Sequence, residues 1–75
     1  MTFRQAWLER ASKEKGFRKR RMERIAENPR AMKRAEQMAR DASGQAESGA
    51  IDWSKIDWAS LLSTLLPIIL KLFGL

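Results

Sequence analysis

The last eighteen residues, Trp58 to Leu75, hold one charged side chain, Lys71, in a run dominated by Leu, Ile and Phe. A segment this apolar must be hidden from water, and 75 residues leave little other material to hide it. The run therefore calls for a bilayer, further copies of the chain or a larger assembly as its cover.

The other end of the chain is cationic. Residues 1 to 40 carry thirteen Lys or Arg against five Asp or Glu, whereas residues 41 to 75 carry two against four. Charge at that density attracts nucleic acid, anionic lipid or an acidic protein surface, and Coulomb attraction alone does not choose among them. The chain has no Cys and no His, which removes disulfides, zinc ligation by thiolate or imidazole, thiol nucleophiles and imidazole acid–base chemistry. A non-enzymatic protein without metal or cofactor is expected. The first forty residues contain no h-region, so no secretory signal is expected either.

Local signals predict an all-α chain of two to three basic amphipathic helices, a flexible linker and a C-terminal apolar helix. Thr2 and Gln5 have the spacing of a capping box, which starts a helix at Phe3 with Phe3, Trp7 and Ala11 on one face and Leu8 beside them. Gly16 ends or loosens it. Phe17, Met22, Ile25 and Ala26 then supply a thin apolar edge to a stretch rich in Arg and Lys. Asn28-Pro29 predicts a break, since Pro restricts the residue before it and suits the first position of a new helix, where Asn is a good cap. From Arg30 onward Ala31, Ala35, Met38, Ala39 and Ala42 share a face that buries little area. Residues 43–50, rich in Ser and Gly, read as a linker. The expected organisation is a basic arm over 1–42, that linker, and an anchoring or docking helix over 51–75. With so little core of its own, the chain is expected to be extended and ordered by a membrane or an assembly.

Residues 51 to 60 state Ile-Asp-Trp twice, and Ser54 with Asp57 has capping-box spacing, with Trp53 and Trp58 at the staple positions. A helix from Lys55 to Gly74 would be about 30 Å long, close to the hydrocarbon thickness of a bilayer. On it Ser60, Ser63, Thr64, Pro67, Lys71 and Gly74 fall within about 100° of arc, and apolar side chains fill the rest. In a membrane, Ser60, Ser63, Thr64, Pro67 and Gly74 form a seam for helix–helix contact, while Trp53, Trp58 and Lys71 are interface anchors. Three placements stay open for this helix: spanning, lying in the interface, or docked in a hydrophobic protein groove. The basic arm then lies on the cytoplasmic or particle-interior side of a membrane-associated protein.

Arg18, Lys19, Arg20, Arg21 and Arg24, with Lys33 and Arg34, are the candidate polyanion-binding residues. They radiate around a helix as phosphate contacts do and carry no base-reading signature. Intrahelical pairs such as Glu9–Lys13, and Glu23 with its basic neighbours, are the alternative use of those charges. Trp7 with Phe3, and Met22, Met32 and Met38, read as packing residues.

The expected function is a small structural protein, a virion component of phage type, anchored through residues 55–75 in a membrane or protein shell and presenting residues 4–40 to nucleic acid or anionic lipid, as a homo-oligomer or part of a large assembly. A basic N-terminal region followed by an apolar segment containing Leu62-Ser63 also resembles the layout of the single-gene lysis proteins of RNA phages. That resemblance implies membrane permeabilisation, with Ser60, Ser63, Thr64 and Lys71 lining an oligomeric defect. A soluble assembly factor docking its tail in a larger protein is the third expectation.

Overall fold

A computed structural model of the chain describes residues 2–43 and 51–75. The first helix, α1 (Phe3–Lys13), opens on a reciprocal cap: Gln5 N–H donates to Thr2 Oγ1 at 3.1 Å, and Thr2 N–H donates to Gln5 Oε1 at 2.9 Å. The chain leaves α1 in extended backbone at Glu14 and Lys15, then turns at Gly16, whose φ is +67°. A side chain at that dihedral costs about 1–2 kcal/mol. Nothing lies within 4 Å of where a Gly16 Cβ would sit, so the backbone angle alone favours glycine.

The second helix, α2 (Gly16–Glu27), is separated from the third, α3 (Pro29–Ser43), by Asn28 alone. Asn28 Oδ1 accepts the N–H groups of Arg30 at 3.1 Å and Ala31 at 3.2 Å, and Pro29 occupies the first helical position, where its missing N–H is no loss. Apart from Ser43, which ends α3, the linker expected over 43–50 lies outside the described residues.

Each copy of Ile-Asp-Trp builds the same small unit, an aspartate that caps and a tryptophan that packs. Asp52 caps a 3₁₀ turn over Trp53–Lys55 by accepting the Ser54 N–H at 3.1 Å and the Ser54 hydroxyl. Asp57 caps α4 (Trp58–Phe73), accepting the Ser60 N–H at 3.3 Å and its hydroxyl at 2.9 Å. The serine hydrogen bonds, those from the hydroxyls foremost, hold both carboxyls below the ordinary aspartate value of 3.8. A carboxylate depressed in the folded state stabilises fully above its unfolded pKa and loses that contribution as pH falls through the folded value. The midpoint of thermal unfolding should therefore fall between about pH 5 and pH 2. A chain with Asp52→Asn and Asp57→Asn, which keeps an acceptor oxygen at each cap, should fall less over that range. Equal falls would mean that the caps do not depend on charge.

The helix cap at Asp57 corrects the expected start at Lys55. With sixteen residues, α4 spans about 24 Å, short of the ~30 Å hydrocarbon layer. No helix among the described residues is long and apolar enough to cross a membrane. At its far end Gly74 adopts φ +65°, which lets the Leu75 N–H reach back to the Leu70 carbonyl at 3.1 Å.

What covers α4 is the chain itself. Leu61, Leu62, Leu65, Leu66 and Ile69 are buried, and α4 packs against α3 and α2. Ala31, Ala35 and Ala39 of α3 are almost fully buried. Their small side chains let the two helices approach closely, and the leucines of α4 supply the area that alanine cannot, at about 1.5–3 kcal/mol for each large side chain buried. From the other side α1 contributes Phe3, Ala6, Trp7 and Ala11, and α2 contributes Met22, Ile25 and Ala26, to one shared core.

Four aromatic rings close that core. Phe3 lies 5.6 Å from Trp7, 4.9 Å from Trp53 and 6.0 Å from Trp58, centroid to centroid, and Trp7 lies 6.2 Å from Trp58. Two indole N–H groups find carbonyls: Trp7 Nε1 donates to Met22 O at 2.8 Å and Trp58 Nε1 to Trp53 O at 2.9 Å. Among the described residues no buried side-chain polar atom lacks a partner.

The fold is all-α, with no strand among the described residues. Its radius of gyration of 11.4 Å matches the ~11 Å of a compact chain of this length, in place of the extended arrangement expected. The apolar faces of α1, α2 and α3 are thin when each is taken alone. Turned inward against the wide leucine face of α4, they make a core.

Candidate functional site

The expected membrane roles are corrected side chain by side chain. Trp53 and Trp58 are 4% and 8% exposed and belong to the aromatic cluster, so neither is an interface anchor. Ser60, Ser63, Thr64, Pro67 and Gly74 are exposed, together with Lys71. The small-polar stripe of α4 is its water-facing side, and the leucine side makes the helix contacts, the reverse of a seam. Ser63 Oγ donates back to Ala59 O at 2.9 Å, and Pro67 sits on the exposed side, where water can reach the carbonyl freed by its missing N–H. With no spanning helix among the described residues, membrane association loses its support. The lysis layout, and the virion layout in its membrane-anchored form, lose that support.

The basic residues fare differently. Residues 15–34 hold nine Lys or Arg and two Asp or Glu, while the other 55 residues hold six and seven. The entire positive surplus of the chain is thus confined to α2 and the first turns of α3. The packing of α2 decides which way these charges point. Met22, Ile25 and Ala26 face inward against α1, α3 and α4, which leaves Arg20, Arg21 and Arg24, together with Glu23 and Glu27, on the outward side, with Lys19 on the flank. Beyond the one-residue corner at Asn28, Arg30, Lys33 and Arg34 are exposed on α3.

Ion pairing separates structural cations from free ones. Glu14 is held by Arg10 at 3.4 Å within α1 and by Arg18 at 3.7 Å across the Gly16 turn, so Arg18, half-buried, ties α1 to α2. Lys13 pairs with Glu9 at 3.8 Å, and Lys55 with Asp52 at 3.8 Å. Arg40 bonds Glu36 through two nitrogens, at 2.9 and 3.2 Å, and its guanidinium lies 5.7 Å from the centre of the Trp53 ring. By contrast, Lys15, Lys19, Arg20, Arg21, Arg24, Arg30, Lys33 and Arg34 make no ion pair among the described residues. Glu23 and Glu27, the acids within this stretch, make none either, so the internal pairing expected of Glu23 is not formed.

The helix itself adds to the positive field. No side chain caps the start of α2 and no acid lies in its first turn, so the positive end of the α2 dipole stands beside the basic cluster without a side-chain partner, whereas Asn28 caps the start of α3. Of the seven candidate polyanion residues, six (Lys19, Arg20, Arg21, Arg24, Lys33 and Arg34) are exposed and unpaired; Arg18 is spent on Glu14.

Sequence reasoning missed Phe17. Placed on the apolar edge of α2 by its chemistry, it is instead 75% exposed, the most exposed large hydrophobic side chain among the described residues. Spacing held the signal: residue 17 stands three, four and seven positions before Arg20, Arg21 and Arg24, and five before Met22, which puts it on the arginine face.

A groove of about 440 Å³ between α3 and α4 is lined by Met38, Ile56, Leu61 and Leu65, with Asp52 and Asp57 at its rim. Both aspartates are engaged as caps. Among the described residues no three His, Cys, Asp or Glu side chains gather as a metal ion requires. No protein-family model, curated protein or solved structure matches the chain.

Proposed function

We propose that the protein is a non-catalytic nucleic-acid-binding domain whose residues 15–34 grip the phosphate backbone without reading base sequence. The observation that carries this reading is the confinement of the whole charge surplus to residues 15–34, eight of whose cations are exposed and make no ion pair among the described residues. Like charges held this close repel one another, and a polyanion relieves the repulsion while releasing its condensed counterions. The outward row of Arg20, Arg21 and Arg24 is the centre of the grip, extended by Lys19 and, around the Asn28 corner, by Arg30, Lys33 and Arg34. Nucleic acid is favoured over a lipid surface because lipid binding gains from an apolar face laid into the bilayer, and the apolar faces of these helices are turned into the core.

Counterion release makes the test quantitative. If about six phosphates are neutralised, the logarithm of affinity for a labelled duplex should fall with the logarithm of salt at a slope of about −5, a roughly thousandfold loss from 50 to 200 mM. Fluorescence anisotropy reads it directly. Combining Arg20→Gln, Arg21→Gln and Arg24→Gln should flatten the slope by about 2–3 and weaken binding to unrelated sequences alike. An affinity that does not respond to salt, or a triple variant that binds as the parent does, refutes the proposal.

A further inference from the structure

We infer that Phe17 is a base-stacking residue, so that the surface prefers single-stranded nucleic acid to duplex; this rests on the phosphate-binding reading and goes one step beyond it. Phe3, Trp7, Trp53 and Trp58 are packed into one cluster and Phe73 is partly buried, which leaves Phe17 as the single aromatic ring standing in solvent. It makes no ring contact and carries no cation over its face among the described residues. Its π-face is free.

The neighbours of the ring say what it would meet. Arg20 and Arg21 lie one turn along α2 on the same side, and Arg24 lies two turns along, all three exposed and unpaired. With 75% of its surface exposed, the ring is open to an approaching base. An exposed ring at the head of a row of cations is the arrangement by which single strands are held: phosphates on the cations, an unstacked base on the ring. In a duplex the base faces are covered by their neighbours, and the ring gains nothing. A lipid surface does not explain the arrangement, because α2 has spent Met22, Ile25 and Ala26 on the core and offers one outward apolar side chain, too few to make an interfacial helix.

The experiment uses the full chain with a labelled twenty-nucleotide oligo(dT) and a labelled twenty-base-pair duplex, by anisotropy across a salt series. The parent should bind the single strand more tightly. Phe17→Ala should weaken oligo(dT) binding by roughly 5- to 100-fold, leave duplex binding within about twofold and leave the salt slope unchanged, while Phe17→Tyr restores the parent affinity. Phe17 is exposed, so circular dichroism of both variants should match the parent. If Phe17→Ala leaves both ligands unchanged or weakens both equally, the stacking inference fails while phosphate binding stands. If it weakens only attachment to anionic vesicles, the ring is a lipid contact and the inference also fails. If the parent shows no salt-dependent binding to either nucleic acid, the phosphate reading itself falls and the inference with it.

Discussion

Trp7→Ala should remove about 3–5 kcal/mol of folding free energy, the usual loss when a large aromatic is deleted from a core. The Trp7 ring has no exposed surface, and it touches Phe3 and Trp58 while its N–H holds a carbonyl of α2. It joins α1, α2 and α4 at one point. A domain of this length has roughly 4–11 kcal/mol of stability in all, so the substitution takes a large share of it, and half or more of the molecules could unfold in plain buffer. Urea denaturation followed by far-ultraviolet circular dichroism measures the loss. Trp7→Phe keeps most of the ring and gives up the hydrogen bond to Met22 O, so it should cost distinctly less, about 1 kcal/mol for the bond plus a small cavity. A loss below about 1 kcal/mol for the alanine variant would mean that α1 is held elsewhere.

Cutting the chain in the 44–50 segment should abolish the fold of both pieces. Seven of the eighteen core residues, Trp53, Trp58, Leu61, Leu62, Leu65, Leu66 and Ile69, lie downstream of the cut, and they include most of the large side chains. The piece 2–43 keeps only short, poorly apolar helices, and helices of 11 to 15 residues are marginal in water without a surface to pack on. It should show no cooperative thermal transition and no fixed near-ultraviolet signal from Trp7. Mixed with 51–75, it should recover both. A cooperative transition in 2–43 alone would show that these three helices fold without α4.

The elements were legible because they are set by local chemistry. Thr2 with Gln5, and Asn28 with Pro29, use their own side chains or ring to decide where a helix begins, and the structure starts α1 and α3 there. The start of α4 was less legible: residues 52 to 60 offer both a Ser54–Asp57 box and two Asp-led caps, and only the packing of Trp53 and Trp58 selects the second. Where the tail goes was not legible at all. Leu61, Leu62, Leu65, Leu66 and Ile69 look the same whether lipid or alanine faces them, and the alanine stripe of α3 reads as weak until a leucine-rich helix is laid against it. The basic cluster was visible as composition, yet which cations are free depended on Glu14 and Glu36 finding Arg18 and Arg40. Phe17 was lost for a related reason: its chemistry argued for the core, and its register, which argued against, had to be judged against the packed side of α2.

The contact between Phe3 and Trp58, at 6.0 Å, joins residues more than fifty positions apart. On a ribosome, the cationic segment emerges before Trp53 and Trp58, so the closure that organises the core must wait until Trp58 and most of α4 have cleared the exit tunnel. Until then residues 15–34 travel as an unfolded, positively charged strand.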